Sequence, residues 1–308
     1  MTLEIIWNSL SLPDWEARFA QLRRANLLQS YPYAQAASAH YRQRPRWGLI
    51  RIDGQEAGLV QIFEAGMLGL HALILDRGPL WFEGFGAPAH ITAFFAELDR
   101  QFPRRWGRRR RIIPESNPAI EMPGCYRAVR SVVPYQTIWL DLTVEQNALR
   151  AQMKKNWRNA LSKAEREQLH LEWDQPEAGL AWLLLHHQAH RTIKNFQAAS
   201  SEFIRLLARS FHPRGDMLVG RAFVGAEAVA GVLFFRHGGS ATYQVGWSGE
   251  AGRAVNAHQL LLWQGLLKLK QAGVRDLDLG GINDQAEGVR VFKEGLGAPA
   301  VTLGRIYH

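Results

Sequence analysis

Residues Asp276 to Gly297 read D-L-D-L-G-G-I-N-D-Q-A-E-G-V-R-V-F-K-E-G-L-G. The stretch begins as a strand, Arg275 to Leu279, in which Leu277 and Leu279 alternate against Asp276 and Asp278. Gly280-Gly281 breaks the strand where a residue without a side chain is at ease. A loop containing Asn283 follows, then a short helix. Val289, Phe292 and Leu296 fall at i, i+3 and i+7, which gives that helix one apolar face. Gly295 and Gly297 end it. Lys293 is thus set beside the anchor Phe292, near a strand end opened by Gly280 and Gly281, a good place for a cation to meet a ligand. A solvated lysine on a surface helix is the other reading of the same spacing.

Working outward, the preceding segments predict strands at 217–224, 228–236 and 241–247, joined as an antiparallel meander by turns at Gly225 and Gly238-Gly239. A helix ending at Gln271 follows, with Leu260, Trp263 and Leu267 inward. Upstream lie a strand at 169–173, helices at 177–192 and 200–211, and one long helix over 144–167. On that helix Lys154, Arg158 and Ser162 share a face at i+4 spacing, Lys155 stands beside it, and Leu149, Met153, Trp157 and Leu161 form the apolar side. The strand 135–142 reads as the crossing between two domains. The first half repeats the order: a helix from Pro13 to about Leu28, strands at 47–52, 57–64 and 70–75 with an Asp53-Gly54 hairpin, and a helix at 89–102 carrying Ile91, Phe94, Phe95 and Leu98 on one side. The final segment 300–307 reads as a strand that can return to the first domain. The domains are placed at 1–142 and 143–308.

Strand, Gly-Gly-Ile, an irregular loop and F-K-x-x-x-G resemble the C-terminal signature of the Fem-type (FemABX) aminoacyl transferases. A second block is similar to the start of the second Fem domain: L-D-L, then E-x-x-x-x-x-x-x-M-K-K-x-x-R-x-x-x-x-K-A from Glu145. Gln29, Ser30 and Tyr33, and the later Arg77-Gly78-Pro79, resemble further Fem segments. The resemblance implies an α+β protein of two tandem GNAT-like acyltransferase domains with mixed, mainly antiparallel sheets. No sustained heptads are present, so no coiled-coil insertion is expected. It also implies transfer of an amino acid from aminoacyl-tRNA to an amine of a peptidoglycan precursor, nucleotide- or lipid-linked, with Lys293 catalytic. Substrate contacts then fall to Phe292, Arg191, Lys154, Lys155, Arg158, Tyr33, Gly280, Gly281 and Asn283. The sequence departs from the family at Ala37, near where a lysine for substrate phosphate is carried; Arg42, Arg44 and Arg46 are close by.

Composition sets the outer limits. The chain has 308 residues, 47% of them apolar, enough for two globular domains with sizeable cores. Its formal net charge of +9 favours an anionic partner: tRNA, a nucleotide sugar, or an anionic membrane surface met peripherally. Arg100, Arg104, Arg105 and Arg108 to Arg111 form the densest basic run, read either as a phosphate-binding patch or as a solvated helix-to-strand corner. Cys125 is the one cysteine, so no intrachain disulfide or cysteine-based zinc site forms, which fits a cytoplasmic setting. The N-terminus lacks the pattern of a signal peptide, and no apolar run reaches transmembrane length. His186 and His190 stand at i, i+4 without supporting ligands, so no metal is expected. No covalent nucleophile is apparent and no cofactor beyond the tRNA co-substrate is implied. Two other readings stay open. One is an acetyl-coenzyme A-dependent GNAT N-acyltransferase, since Gly249 to Ala254 matches half of a pyrophosphate loop. The other is a non-catalytic module that binds an anionic polymer.

Overall fold

The computed structural model describes the chain apart from residues 68, 116–118, 121, 174–175, 195–198 and 283–286, and apart from the side chains of 176, 191, 193 and 194. It divides into two units: residues 1–136 with 302–308, and residues 137–301. The division falls before residue 137 and not after 142. The strand 136–141 pairs with the sheet of the second unit, where Leu140 faces Leu277.

The first unit comprises β1 (Leu3–Trp7), α1 (Leu12–Phe19), α2 (Tyr31–Tyr41), β2 (Arg44–Ile52), β3 (Gln55–Met67), β4 (Leu70–Gly78), β5 (Leu80–Trp81), α3 (Pro88–Gln101) and β6 (Arg108–Pro114). Its sheet runs β1-β2-β3-β4-β6, with β5 pairing to β3. The helix expected from Pro13 to Leu28 ends at Phe19; Ser11 caps its start, its side chain accepting from Asp14 N. The four arginines of β6 hid its strand period, because they occupy both faces. Arg110 turns inward to Asp99, and Arg111 turns outward to Asp76. Ile50, Ile62, Leu73, Phe94, Phe95 and Ile112 form the core between sheet and α3.

The second unit comprises β7 (Gln136–Asp141), α4 (Gln146–Gln152), α5 (Lys155–Arg166), β8 (His170–Trp173), α6 (Pro176–Lys194), α7 (Ser201–Phe211), β9 (Met217–Val224), β10 (Glu227–His237), β11 (Ser240–Ser248), α8 (Glu250–Ala254), α9 (Ala257–Gln271), β12 (Asp276–Asp278), α10 (Glu287–Glu294) and β13 (Ala300–Thr302). Its sheet runs β13-β7-β12-β11-β10-β9-β8. The meander β9-β10-β11 stands as expected. The long helix expected over 144–167 is two helices, broken at Met153. There the Lys154 N–H leaves the helix ladder and donates to Gly295 O at 2.9 Å. Of the expected final strand only Ala300–Thr302 is regular. Beyond it Tyr307 bridges to Ile112 and Ala128 within the first unit. The core of the second unit gathers Leu140, Leu161, Phe234, Leu261, Trp263 and Leu277.

Candidate functional site at the opening between two parallel strands

In the second unit β11 and β12 run parallel for three residue pairs, Ser240–Asp276, Ala241–Leu277 and Thr242–Asp278. They then part. Leu279 N donates to Ile138 O at 2.9 Å, so the chain leaving β12 keeps its bond to β7 while the register with β11 ends at Thr242–Asp278. Gly280 takes φ +71, a conformation that glycine adopts at no steric cost. A side chain there would also press on Tyr243 O at 3.2 Å. The turn is fixed from beneath by Asp278, which is fully buried. Its carboxylate accepts from Gly280 N at 2.8 Å and from the Thr137 hydroxyl, which also reaches Gly280 O at 3.1 Å. Asp276 and Asp278 are both buried, not strand-surface carboxylates. Strand alternation misleads here because β12 is the inner strand of a sheet covered on both faces.

Lys293 reaches this opening from α10. It is only 8% exposed, and its Nζ donates to Gly281 O at 2.9 Å and Gly280 O at 3.3 Å. The ammonium also lies 5.9 Å from the centroid of the Tyr243 ring. Burial lowers its pKa from 10.5 to about 8, and the nearby Asp278 charge opposes that fall. The solvated-lysine reading is therefore set aside. The helix is also rotated relative to the expected apolar face: Val289 and Val291 are exposed, Phe292 is half-buried, and Lys293 and Leu296 are inside. Phe292 packs on Trp157 and on His258, with ring centroids 5.9 and 4.9 Å apart.

Two residues that the sequence did not single out complete the floor. Tyr243 on β11 and His258 on α9 share a hydrogen bond, Oη to Nε2, of 2.7 Å. Burial lowers the His258 pKa to about 4 and raises that of Tyr243, so both are neutral near pH 7. The pair needs Gly246. A Cβ at that position would overlap Tyr243 Oη and lie 2.7 Å from His258 Nε2. A glycine inside a strand marks such a close approach and was the available signal.

The basic residues of the α4–α5 break join the same neighbourhood through α10. Lys154 Nζ lies 3.3 Å from Glu294, and Lys155 is exposed at the first position of α5. Arg158 donates to Ala151 O at 2.9 Å and to Met153 O, closing the C-terminus of α4, so its guanidinium is engaged within the chain. Arg191 lies in α6, but its side chain is outside the described residues, and Asn283 lies outside them altogether. Tyr33 belongs to α2 of the first unit. It is half-buried, with its ring 6.3 Å from Phe63, and burial raises its pKa. His186 stacks between Trp182 and Trp247, with centroids 4.6 and 4.3 Å away. Among the described residues no group of three or more His, Cys, Asp or Glu converges.

Residues 150–293 match the family described as an acetyltransferase (GNAT) domain. Among curated proteins no sequence matches the chain. Among solved structures, FemX is similar over 98% of this chain and 96% of its own, with a TM-score of 0.78 and 12% identity. A conserved protein of unknown function from Bacteroides thetaiotaomicron covers 99% of this chain and 98% of its own, with a TM-score of 0.58 and 14% identity. The C-terminal domain of a protein assigned as a lysylphosphatidylglycerol synthetase from Agrobacterium fabrum covers 91% and 87%, with a TM-score of 0.53 and 14% identity. With both sheets, the strand opening and these full-length likenesses together, the chain has the Fem-type fold of two GNAT-like domains in tandem.

Proposed function

We propose that this chain is an aminoacyltransferase that moves an amino acid from aminoacyl-tRNA to an amine of a peptidoglycan precursor stem peptide. The observation that carries the reading is the buried Lys293 ammonium, held at the β11–β12 opening by the Gly280 and Gly281 carbonyls. The fold shared with FemX and the Fem-like F-K-x-x-x-G segment support it further.

The donor is an ester between an amino acid and a tRNA ribose. The acceptor amine attacks the ester carbonyl, forming an N–C bond and a tetrahedral oxyanion. Collapse breaks the ester C–O bond; the ribose oxygen leaves and takes a proton, and the amine nitrogen loses one. Two of the three Lys293 N–H donors are spoken for by Gly280 O and Gly281 O. The third is left for the oxyanion, in a site where burial strengthens the interaction. The ester is already activated, so holding amine and carbonyl in register supplies much of the remaining rate. Tyr243 and Phe292 fix the direction of the lysine by packing against it and its helix. Lys154 and Lys155, at the start of α5, offer positive charge for a substrate phosphate. No covalent enzyme intermediate is needed.

The test is transfer of radiolabelled aminoacyl groups from a mixed charged-tRNA pool to nucleotide-linked and lipid-linked peptidoglycan precursors. The expected result is label in a precursor. Label in neither, with acetyl transfer from acetyl-coenzyme A to an amine instead, would overturn this reading in favour of an N-acetyltransferase.

A further inference from the structure

We infer that one corner of the first unit is a docking site for the surface of an anionic lipid bilayer. Two turns meet there. Met67 ends β3 and Leu70 opens β4, directly paired across the hairpin. The turn from Pro103 to Gly107, which leads into β6, lies against it: His71 N donates to Gly107 O at 2.7 Å, and a Cβ on Gly107 would stand 2.9 Å from Gly69 O. At this meeting point Trp106 is 93% exposed, Met67 75% and Leu70 62%. Large apolar side chains so fully in water, gathered in one place, gain nothing from the core and mark a contact surface.

The charge around them selects the partner. The carboxylates of this corner are already engaged. Glu64 holds Arg46 at 3.1 Å and His71 at 3.0 Å, Glu97 holds Arg100 at 2.7 Å, and Asp99 and Asp76 take Arg110 and Arg111. Arg104 and Arg105, on the Trp106 turn, and Arg109, on β6, are exposed and lack a carboxylate partner among the described residues. A tryptophan between arginines also suits nucleic acid, where the indole stacks on a base. Met67 and Leu70 argue against that, because an aliphatic side chain neither stacks nor pairs with phosphate. Aliphatic side chains and an indole that enter the headgroup boundary, ringed by arginines that meet anionic headgroups, are what a lipid surface recognises. No helix among the described residues is long and apolar enough to cross a membrane, so the contact is peripheral.

The experiment is co-sedimentation of the full chain with vesicles of phosphatidylcholine, with and without about a third phosphatidylglycerol. The chain is expected on the anionic vesicles and not on the neutral ones. Arg104→Gln, Arg105→Gln and Arg109→Gln together should lower the partition about a hundredfold, at roughly fivefold per arginine. Trp106→Ser with Leu70→Ser should lower it more than tenfold. All these positions are exposed, so thermal unfolding should be unchanged. Transfer to a soluble nucleotide-linked acceptor, where wild type supports it, should be unchanged too. Equal partition of wild type and variants would overturn the proposal. So would loss of tRNA binding in the variants in place of vesicle binding, which makes the corner an RNA surface, or loss of self-association, which makes it an interface between copies. Vesicle binding by a wild-type chain that transfers nothing would sink the aminoacyltransferase reading and leave this one standing.

Discussion

Each unit contains a pair of parallel neighbouring strands, and the two pairs end differently. In the first unit β4 and β6 stay together for seven residue pairs, from His71–Arg108 to Gly78–Pro114. In the second unit β11 and β12 part after three. Beside the far end of the first pair, Arg77 and Glu115 form a buried bidentate ion pair, 2.8 and 2.9 Å, with the Arg77 guanidinium 5.4 Å from the Tyr135 ring. At the corresponding end of the second pair Gly280 turns the chain away and Lys293 enters with no carboxylate within salt-bridge reach among the described residues. One end is closed by a direct ion pair and the other is held open around a lysine met by two carbonyls, with Asp278 acting on it only at longer range. Fold repetition therefore does not repeat the arrangement: among the described residues, the buried lysine held by two turn carbonyls belongs to the second unit.

Three substitutions sharpen this contrast. The largest effect on stability is expected at the closed end. Arg77→Met strips Glu115 of its bidentate partner and should cost about 3–5 kcal/mol in chemical denaturation. The turnover of the protein that remains folded should be unchanged; a parallel loss of turnover would mean that the first unit takes part in the chemistry. At the open end, Gly246→Ala places a methyl on the Tyr243–His258 hydrogen bond. Transfer should fall about a hundredfold through misplacement of the ring that faces Lys293, with a stability loss of about 1–3 kcal/mol. Normal turnover in this variant would remove Tyr243 and His258 from the account.

The third substitution concerns the cost of the open end itself. A displacement of the Lys293 pKa from 10.5 to about 8 corresponds to about 3 kcal/mol. The folded pKa is the lower one, so the unfolded chain binds the extra proton between pH 8 and 10.5. The full cost is present below pH 8 and fades as pH rises towards 10.5. Lys293→Met removes it and loses two hydrogen bonds to carbonyls, one of them also bonded to Thr137. At pH 7 the variant should thus be more stable than wild type by up to about 3 kcal/mol, and near pH 10 the gain should be much smaller. A difference that does not change with pH would show that the lysine is not held against its charge.

How much of this was legible in the sequence depended on which force set each feature. The meander, the strand–Gly-Gly–helix order and the position of Lys293 followed from periodicity and glycine placement, which are local. The burial of Lys293 did not. Val289, Phe292 and Leu296 suggested one apolar face, but α10 seats its lysine in the opening because Trp157, Tyr243 and His258, from three other elements, shape what it packs on. The Tyr243–His258 bond joins a strand to a helix, and only Gly246 hinted at it. The break at Met153 carries no glycine or proline. It arises because Gly295 O and the Arg158 guanidinium satisfy backbone groups that the helix would otherwise hold. In β6 a run of arginines concealed an ordinary alternation, with Arg110 inside and Arg109 and Arg111 outside.

The central claim is that Lys293 stabilises the oxyanion of aminoacyl transfer, and its most direct measurement is the pH profile of turnover for wild type and Lys293→Ala, with charged tRNA and a precursor that accepts label. The lysine must carry its proton to act, so wild-type turnover should fall along an alkaline limb near pH 8, where Lys293 titrates. Lys293→Ala should be slower by about 10²–10³-fold at pH 7 and lack that limb. Full turnover in Lys293→Ala, or an unchanged alkaline limb, would contradict the account.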